Sequence, residues 1–106
     1  MIEVKGNHGK SILFEQLVSM KGSAGIILDD DFYLGRYFNS VFVVTDPNVD
    51  DICNFIKTEL RDYNSIIIYS NYSRFQIKDY IASFLNIERE RNQSFIVMYK
   101  ENYYAL

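Results

Sequence analysis

The sequence predicts an α/β domain in three layers, with a mainly parallel sheet of about five strands and helices on both faces. Three observations predict it. Continuous apolar runs such as Ser65–Tyr69 (SIIIY) read as strands covered on both sides, because a strand with one wet face would alternate polar and apolar residues. These runs alternate along the chain with helical segments, the order that produces parallel crossovers. The 106 residues suffice for one hydrophobic core with little to spare, and no repeat, low-complexity tract or linker divides them, so residues 1–106 read as a single domain.

Taken in order, Met1 to Val4 is a short strand and Lys5 to Gly9 a glycine-containing turn. Ser11 opens a helix whose Ile12, Leu13, Leu17 and Met20 fall near one face, and Gly22 and Gly25 break it. Ala24 to Leu28 is a buried strand that ends at Asp29-Asp30-Asp31, and Val41 to Val44 is another, beyond a tyrosine-rich segment. Asp46 suits an N-cap, Pro47 the first helical position, and Asp50 and Asp51 the positive end of the helix dipole. Val49, Ile52, Cys53, Ile56 and Leu60 then form one apolar stripe that Asn64 ends. After the Ser65–Tyr69 strand, a helix from about Ser73 turns Ile77, Ile81, Phe84 and Leu85 inward, with Glu88 to Arg91 as a solvated face. Phe95 to Tyr99 is the last strand.

Composition narrows the functions. The formal charge is -3 and no Lys/Arg stripe appears, which disfavours a protein that grips DNA by its phosphates without help. Cys53 is the only cysteine and sits at helical spacing among apolar residues, so it reads as a small buried hydrophobe. With His8 the only histidine, no Cys/His metal cluster exists. There is no apolar signal-peptide run and no stretch of transmembrane length, so the expectation is an intracellular protein without a membrane role. Nine tyrosines and eight phenylalanines are many for this size; most are expected to pack the core and some to form a contact surface.

Gly6-Asn7-His8-Gly9-Lys10-Ser11 lies between a strand and a helix, where a phosphate-binding loop belongs. Backbone N–H groups at a helix N-terminus attract anions, Lys10 can reach the β- and γ-phosphates of ATP, and Ser11 can hold Mg²⁺. Gly6 and Gly9 would let the backbone approach the phosphates. The full pattern asks for glycine where Val4 stands, so either the loop is two residues shorter or it is the helix-opening turn of a decayed nucleotide site.

From Gly6 to about Asn102 the order of segments resembles the RecA/Rad51 ATPase core, particularly the Rad51 paralogues. The glycine loop resembles a degenerate Walker A motif, and Ile26-Ile27-Leu28-Asp29-Asp30-Asp31-Phe32 resembles the paralogues' strand ending in two acids. Phe42 to Pro47, the following helix, and Ser65 to Ser70 resemble the path to the Walker B strand. The resemblance implies a truncated RecA-like P-loop core in which Lys10 meets phosphates and Ser11, with Asp29, meets Mg²⁺. Asp31 would stand where the family places the acid that polarises the attacking water. The Walker B acid is replaced by Tyr69, and because phosphoryl transfer depends on charge neutralisation around Mg²⁺, hydrolysis should be severely impaired.

The expectation is therefore a non-catalytic or weakly nucleotide-binding subunit. It would pair with another RecA-fold protein, assist a Rad51-type recombinase in homologous recombination and meet DNA only indirectly, in the nucleus if the cell is eukaryotic. Phe32, Tyr33, Tyr37, Tyr103 and Tyr104 are the candidate contact residues, since aromatic side chains dominate interface hot spots. Two alternatives stand beside it: a minimal P-loop ATPase or other nucleotide-dependent enzyme, and a phage- or plasmid-type inhibitor of a replication ATPase.

Overall fold

The computed structural model describes residues 1–6, 9–28, 40–43 and 48–100. Among these residues five strands and three helices follow one another as β1 (Ile2–Lys5), α1 (Lys10–Val18), β2 (Ser23–Ile27), β3 (Val41–Val43), α2 (Val49–Thr58), β4 (Ser65–Ser73), α3 (Lys78–Arg91) and β5 (Ser94–Lys100). The strands form one sheet in the order β1-β5-β4-β2-β3, and every neighbouring pair is parallel. The predicted fold class is the observed one.

The order fixes where the helices lie. From β1 through α1 to β2 the chain moves across the sheet in one direction, whereas β3 to β4 and β4 to β5 move in the other. Parallel crossovers are right-handed, so α1 lies on one face and α2 with α3 on the opposite face. The core divides accordingly. Ile66, Ile68, Ile26, Phe95 and Val97 meet Ile52 and Ile56 of α2 and Ile81, Phe84 and Ile87 of α3. Their sequence neighbours Ile67, Tyr69, Ile27 and Met98 point the other way and meet Phe14 and Val18 of α1. Both faces of the central strands are thus covered, which is why their sequences run apolar without alternation.

Several predicted details are corrected. The inward residues of α1 are Lys10, Phe14 and Val18, while Ile12 and Met20 are about 60% exposed and Leu13 and Leu17 are half-buried. Apolar residues occur nearly all round this helix, so periodicity could not choose the face. What chose it is Gly25, which lies inside β2 rather than breaking a helix: a Cβ there would stand 2.7 Å from Val18 Cγ1 and 2.8 Å from Phe14 Cζ. A side chain at Gly25 would hold α1 off the sheet.

The N-cap of α2 is Asn48, whose Oδ1 accepts from the Asp51 N–H at 3.1 Å; the predicted Asp46 and Pro47 lie outside the described residues. Helix α2 ends at Thr58, and Leu60 is buried beyond it. Strand β4 continues to Ser73, so α3 starts at Lys78 rather than near Ser73. Within α3, Ile87 is buried and the predicted Leu85 is 40% exposed. Glu88 is not part of a solvated face, because its Oε1 accepts from the Met1 ammonium at 2.6 Å and its Oε2 from the Phe95 N–H at 2.9 Å. Arg89, Glu90 and Arg91 are exposed as predicted. Strand β1 runs Ile2–Lys5 rather than Met1–Val4, and it is an exposed edge.

Candidate functional site at the carboxyl edge of the sheet

In an open parallel sheet, a crevice forms where neighbouring strands send their chains to opposite sides, at their carboxyl ends. Here that point lies between β2 and β4. Leu28 closes β2 by donating its N–H to the Tyr69 carbonyl at 2.9 Å, and the aspartate triplet follows it directly in sequence.

The glycine turn delivers Lys10 to this edge. Gly6 (φ 95°) and Gly9 (φ 72°) both adopt left-handed backbone that other residues resist, which explains glycine at these two positions. Gly9 is the N-cap of α1 and provides no side-chain cap, and a Cβ there would meet nothing within 4 Å among the described residues. A helix N-terminus with no side-chain cap among the described residues favours anions. Ser11 stands half-buried in the first turn beside it.

Lys10 points away from that opening. It is only 2% exposed, its Nζ donates to the Ser70 carbonyl at 3.1 Å, and the ammonium lies 4.7 Å from the centroid of the Tyr69 ring. Burial pushes its pKa down to about 8, and the like charge of Lys100, at the end of β5, adds to the effect. A cation over an aromatic face recovers part of the hydration it has lost. Tyr69 is in turn fixed by edge-on packing against Phe14, with ring centroids 5.4 Å apart.

Strand β4 makes this contact possible by leaving regular pairing. Tyr69 pairs with Met98 and Ser73 with Lys100, so four steps on β4 match two on β5. Within this bulge the Ser70 carbonyl takes the lysine, and its Oγ accepts from the Tyr72 N–H at 2.9 Å. Bulges of this kind re-aim groups at the ends of strands. On the other side of β4, Leu28, Tyr72, Gln76, Ile77 and Tyr80 line a pocket of about 220 Å³. Burial raises the Tyr80 hydroxyl's pKa, so it stays protonated as a donor near neutral pH.

The structure thus brings together Gly6, Gly9, Lys10 and Ser11 at the carboxyl edge and sets Tyr69 against Lys10. Asp29, Asp31, Phe32, Tyr33, Tyr37, Tyr103 and Tyr104 lie outside the described residues, as does His8. Among the described residues no group of three His, Cys, Asp or Glu side chains could hold a metal ion, and no helix is long and apolar enough to cross a membrane. Sequence reasoning missed Ser70, Tyr72, Tyr80 and Lys100. The signal for the first two was the polar-aromatic continuation Ser70-Asn71-Tyr72-Ser73 after the isoleucine run, which reads as a loop but extends β4. No protein-family profile, curated protein or solved structure matches the chain.

Proposed function

We propose that this chain is a non-hydrolysing, at most weakly nucleotide-binding α/β subunit that pairs with another RecA-fold protein and assists a Rad51-type recombinase in homologous recombination. One observation supports the non-hydrolysing part most directly. Within β4, at the end of its apolar run, where the resemblance asks for a metal-holding carboxylate, stands Tyr69, and its ring receives the ammonium of Lys10. The lysine that would neutralise the transferring phosphoryl group is instead committed to the Ser70 carbonyl. Phosphate binding would require Lys10 to leave both partners, so ATP would bind weakly through the open α1 N-terminus and turn over no faster than in buffer. The pairing and recombination parts rest on the resemblance in segment order, and DNA is met through the partner.

The test is a tagged chain purified from its native cell, with the isolated chain assayed in parallel for phosphate release from Mg²⁺-ATP. Stoichiometric recovery of a RecA-fold protein without phosphate release is the expected outcome. Turnover abolished by Lys10→Ala would replace this reading with a P-loop ATPase, and recovery of unrelated metabolic proteins alone would remove the recombination role.

A further inference from the structure

Strand β4 outruns its neighbour. Its pairing with β2 ends at Ile27 and Tyr69, and the Leu28 N–H adds one more bond to the Tyr69 carbonyl, yet β4 continues to Ser73. Beside this overhang lies the pocket of about 220 Å³, lined by Leu28, by Tyr72 on the overhang, and by Gln76, Ile77 and Tyr80 where α3 begins. Leu28 and Ile77 belong to the core shared with α2 and α3, so the pocket stands on the face of the sheet opposite α1. A larger cleft of about 530 Å³ lies at the amino edge, but its two charged groups, the Met1 ammonium and Glu88, are already paired with each other.

The lining combines apolar walls with groups that can donate hydrogen bonds. Leu28 and Ile77 are buried, Tyr80 is half-buried, and Tyr72 and Gln76 are exposed. Among the described residues neither the Tyr72 nor the Tyr80 hydroxyl has a hydrogen-bond partner. Burial, with the nearby Tyr72 hydroxyl adding to it, keeps Tyr80 protonated. Gln76 is held from behind: its Oε1 accepts from the Ser73 N–H at 2.9 Å, and the Ser73 Oγ accepts from the Gln76 N–H at 3.3 Å. This fixes the amide and leaves its Nε2 as a donor.

We propose that this pocket binds a small uncharged ring compound whose carbonyl or ring-nitrogen acceptors meet Tyr72, Tyr80 and Gln76. Size sets the first limit, because sites for drug-sized molecules span about 300–1,000 Å³ and this one holds a single ring rather than a nucleotide. Charge sets the second. Every lining side chain is neutral, and a buried charge without a partner is costly. Helix α3 also starts here without a side-chain cap, so its first N–H groups favour an acceptor, while Asp79 in that turn already supplies the negative charge its dipole attracts. The position agrees with the rule that open α/β sheets take ligands at the carboxyl ends of their strands, where the order reverses. The inference is independent of the recombination reading and of the glycine turn.

The experiment is a titration of the full isotope-labelled chain by NMR with four probes of ring size: benzamide, uracil, benzoate and toluene. Benzamide or uracil should shift the Leu28, Ile77 and Tyr80 signals and the Gln76 side-chain amide saturably, with a dissociation constant on the order of millimolar for so small a probe. Benzoate and toluene, which add a charge or lack acceptors, should bind at least about fivefold more weakly. Tyr80→Phe, which removes one hydroxyl and keeps the ring, should weaken the bound probe about threefold to tenfold, and Tyr72→Phe provides the same test on the overhang. The proposal is overturned if neither benzamide nor uracil saturates these signals, if benzoate or toluene binds as well as they do, or if both tyrosine variants bind as the wild type does.

Discussion

Replacing Gly25 by alanine isolates the contact that holds α1 on the sheet. Gly25 does not adopt left-handed backbone, so alanine imposes no φ strain and the effect is steric. The new methyl would lie 2.7 Å from Val18 Cγ1 and 2.8 Å from Phe14 Cζ, well inside ordinary contact distance. Neither neighbour can withdraw into solvent, since Phe14 is 0% and Val18 3% exposed. Overpacking of this kind costs about 1–3 kcal/mol. The lost chain entropy of the unfolded glycine offsets about 0.4–1 kcal/mol of that. A net destabilisation of about 1–2 kcal/mol remains, equivalent to a fall in Tm of about 5–15 °C for a domain of this size. Urea denaturation followed by far-UV circular dichroism measures it. Val18→Ala alone removes two buried methyls and costs about 2 kcal/mol. In the double variant the alanine methyl occupies the vacated space, so the two effects should fall short of their sum by about 1 kcal/mol. Strict additivity, or a Gly25→Ala protein as stable as the wild type, would show that Val18 does not rest on Gly25.

Three other outcomes follow from the same geometry. Because Lys10 has a folded pKa near 8 against an ordinary value of 10.5, the unfolded chain binds more protons between these values. Its contribution therefore makes stability rise as pH increases from 8 to 10.5, and Lys10→Met should remove that rise in paired urea titrations at pH 7 and 9.5. Burial pushes the Glu88 carboxyl up, but hydrogen bonds from the Met1 ammonium and the Phe95 N–H outweigh it and bring the pKa below 4.5. The stabilisation is present above pH 4.5 and fades as pH falls through the folded value, so Glu88→Gln should flatten the acid limb of a stability–pH curve. Asn48→Ala deletes the side-chain cap of α2 and should cost about 1 kcal/mol in thermal unfolding, whereas Asp50→Asn, which removes only a dipole interaction, should cost about half as much or less.

The parallel class was legible because Ser65–Tyr69 and its counterparts run apolar without alternation, which only two-sided burial explains. The strand order was not legible. Nothing local in Ile2–Lys5 says that β1 pairs with β5 rather than with β2 or β4, since long-range pairing leaves no mark on a four-residue strand. The α2 stripe was readable because its apolar residues occupy one side. That of α1 was not, because Ile12, Leu13, Phe14, Leu17 and Val18 nearly encircle the helix and the choice fell to a glycine on another element. At the site, the glycine turn and Lys10 were visible as a motif. The direction of the lysine was decided by a bulge in β4, and bulges depend on partner strands that the local sequence does not reveal.

The account depends on the Lys10 ammonium sitting between the Ser70 carbonyl and the Tyr69 ring rather than in the glycine turn's opening. Its titration by lysine side-chain NMR, with and without Mg²⁺-ATP, measures this directly. The account predicts a pKa near 8, through-space contacts from the Lys10 methylenes to the Tyr69 ring, and neither changed by nucleotide at the concentrations a cell holds. A pKa near 10.5 without those contacts, or their loss when Mg²⁺-ATP is added, would contradict it.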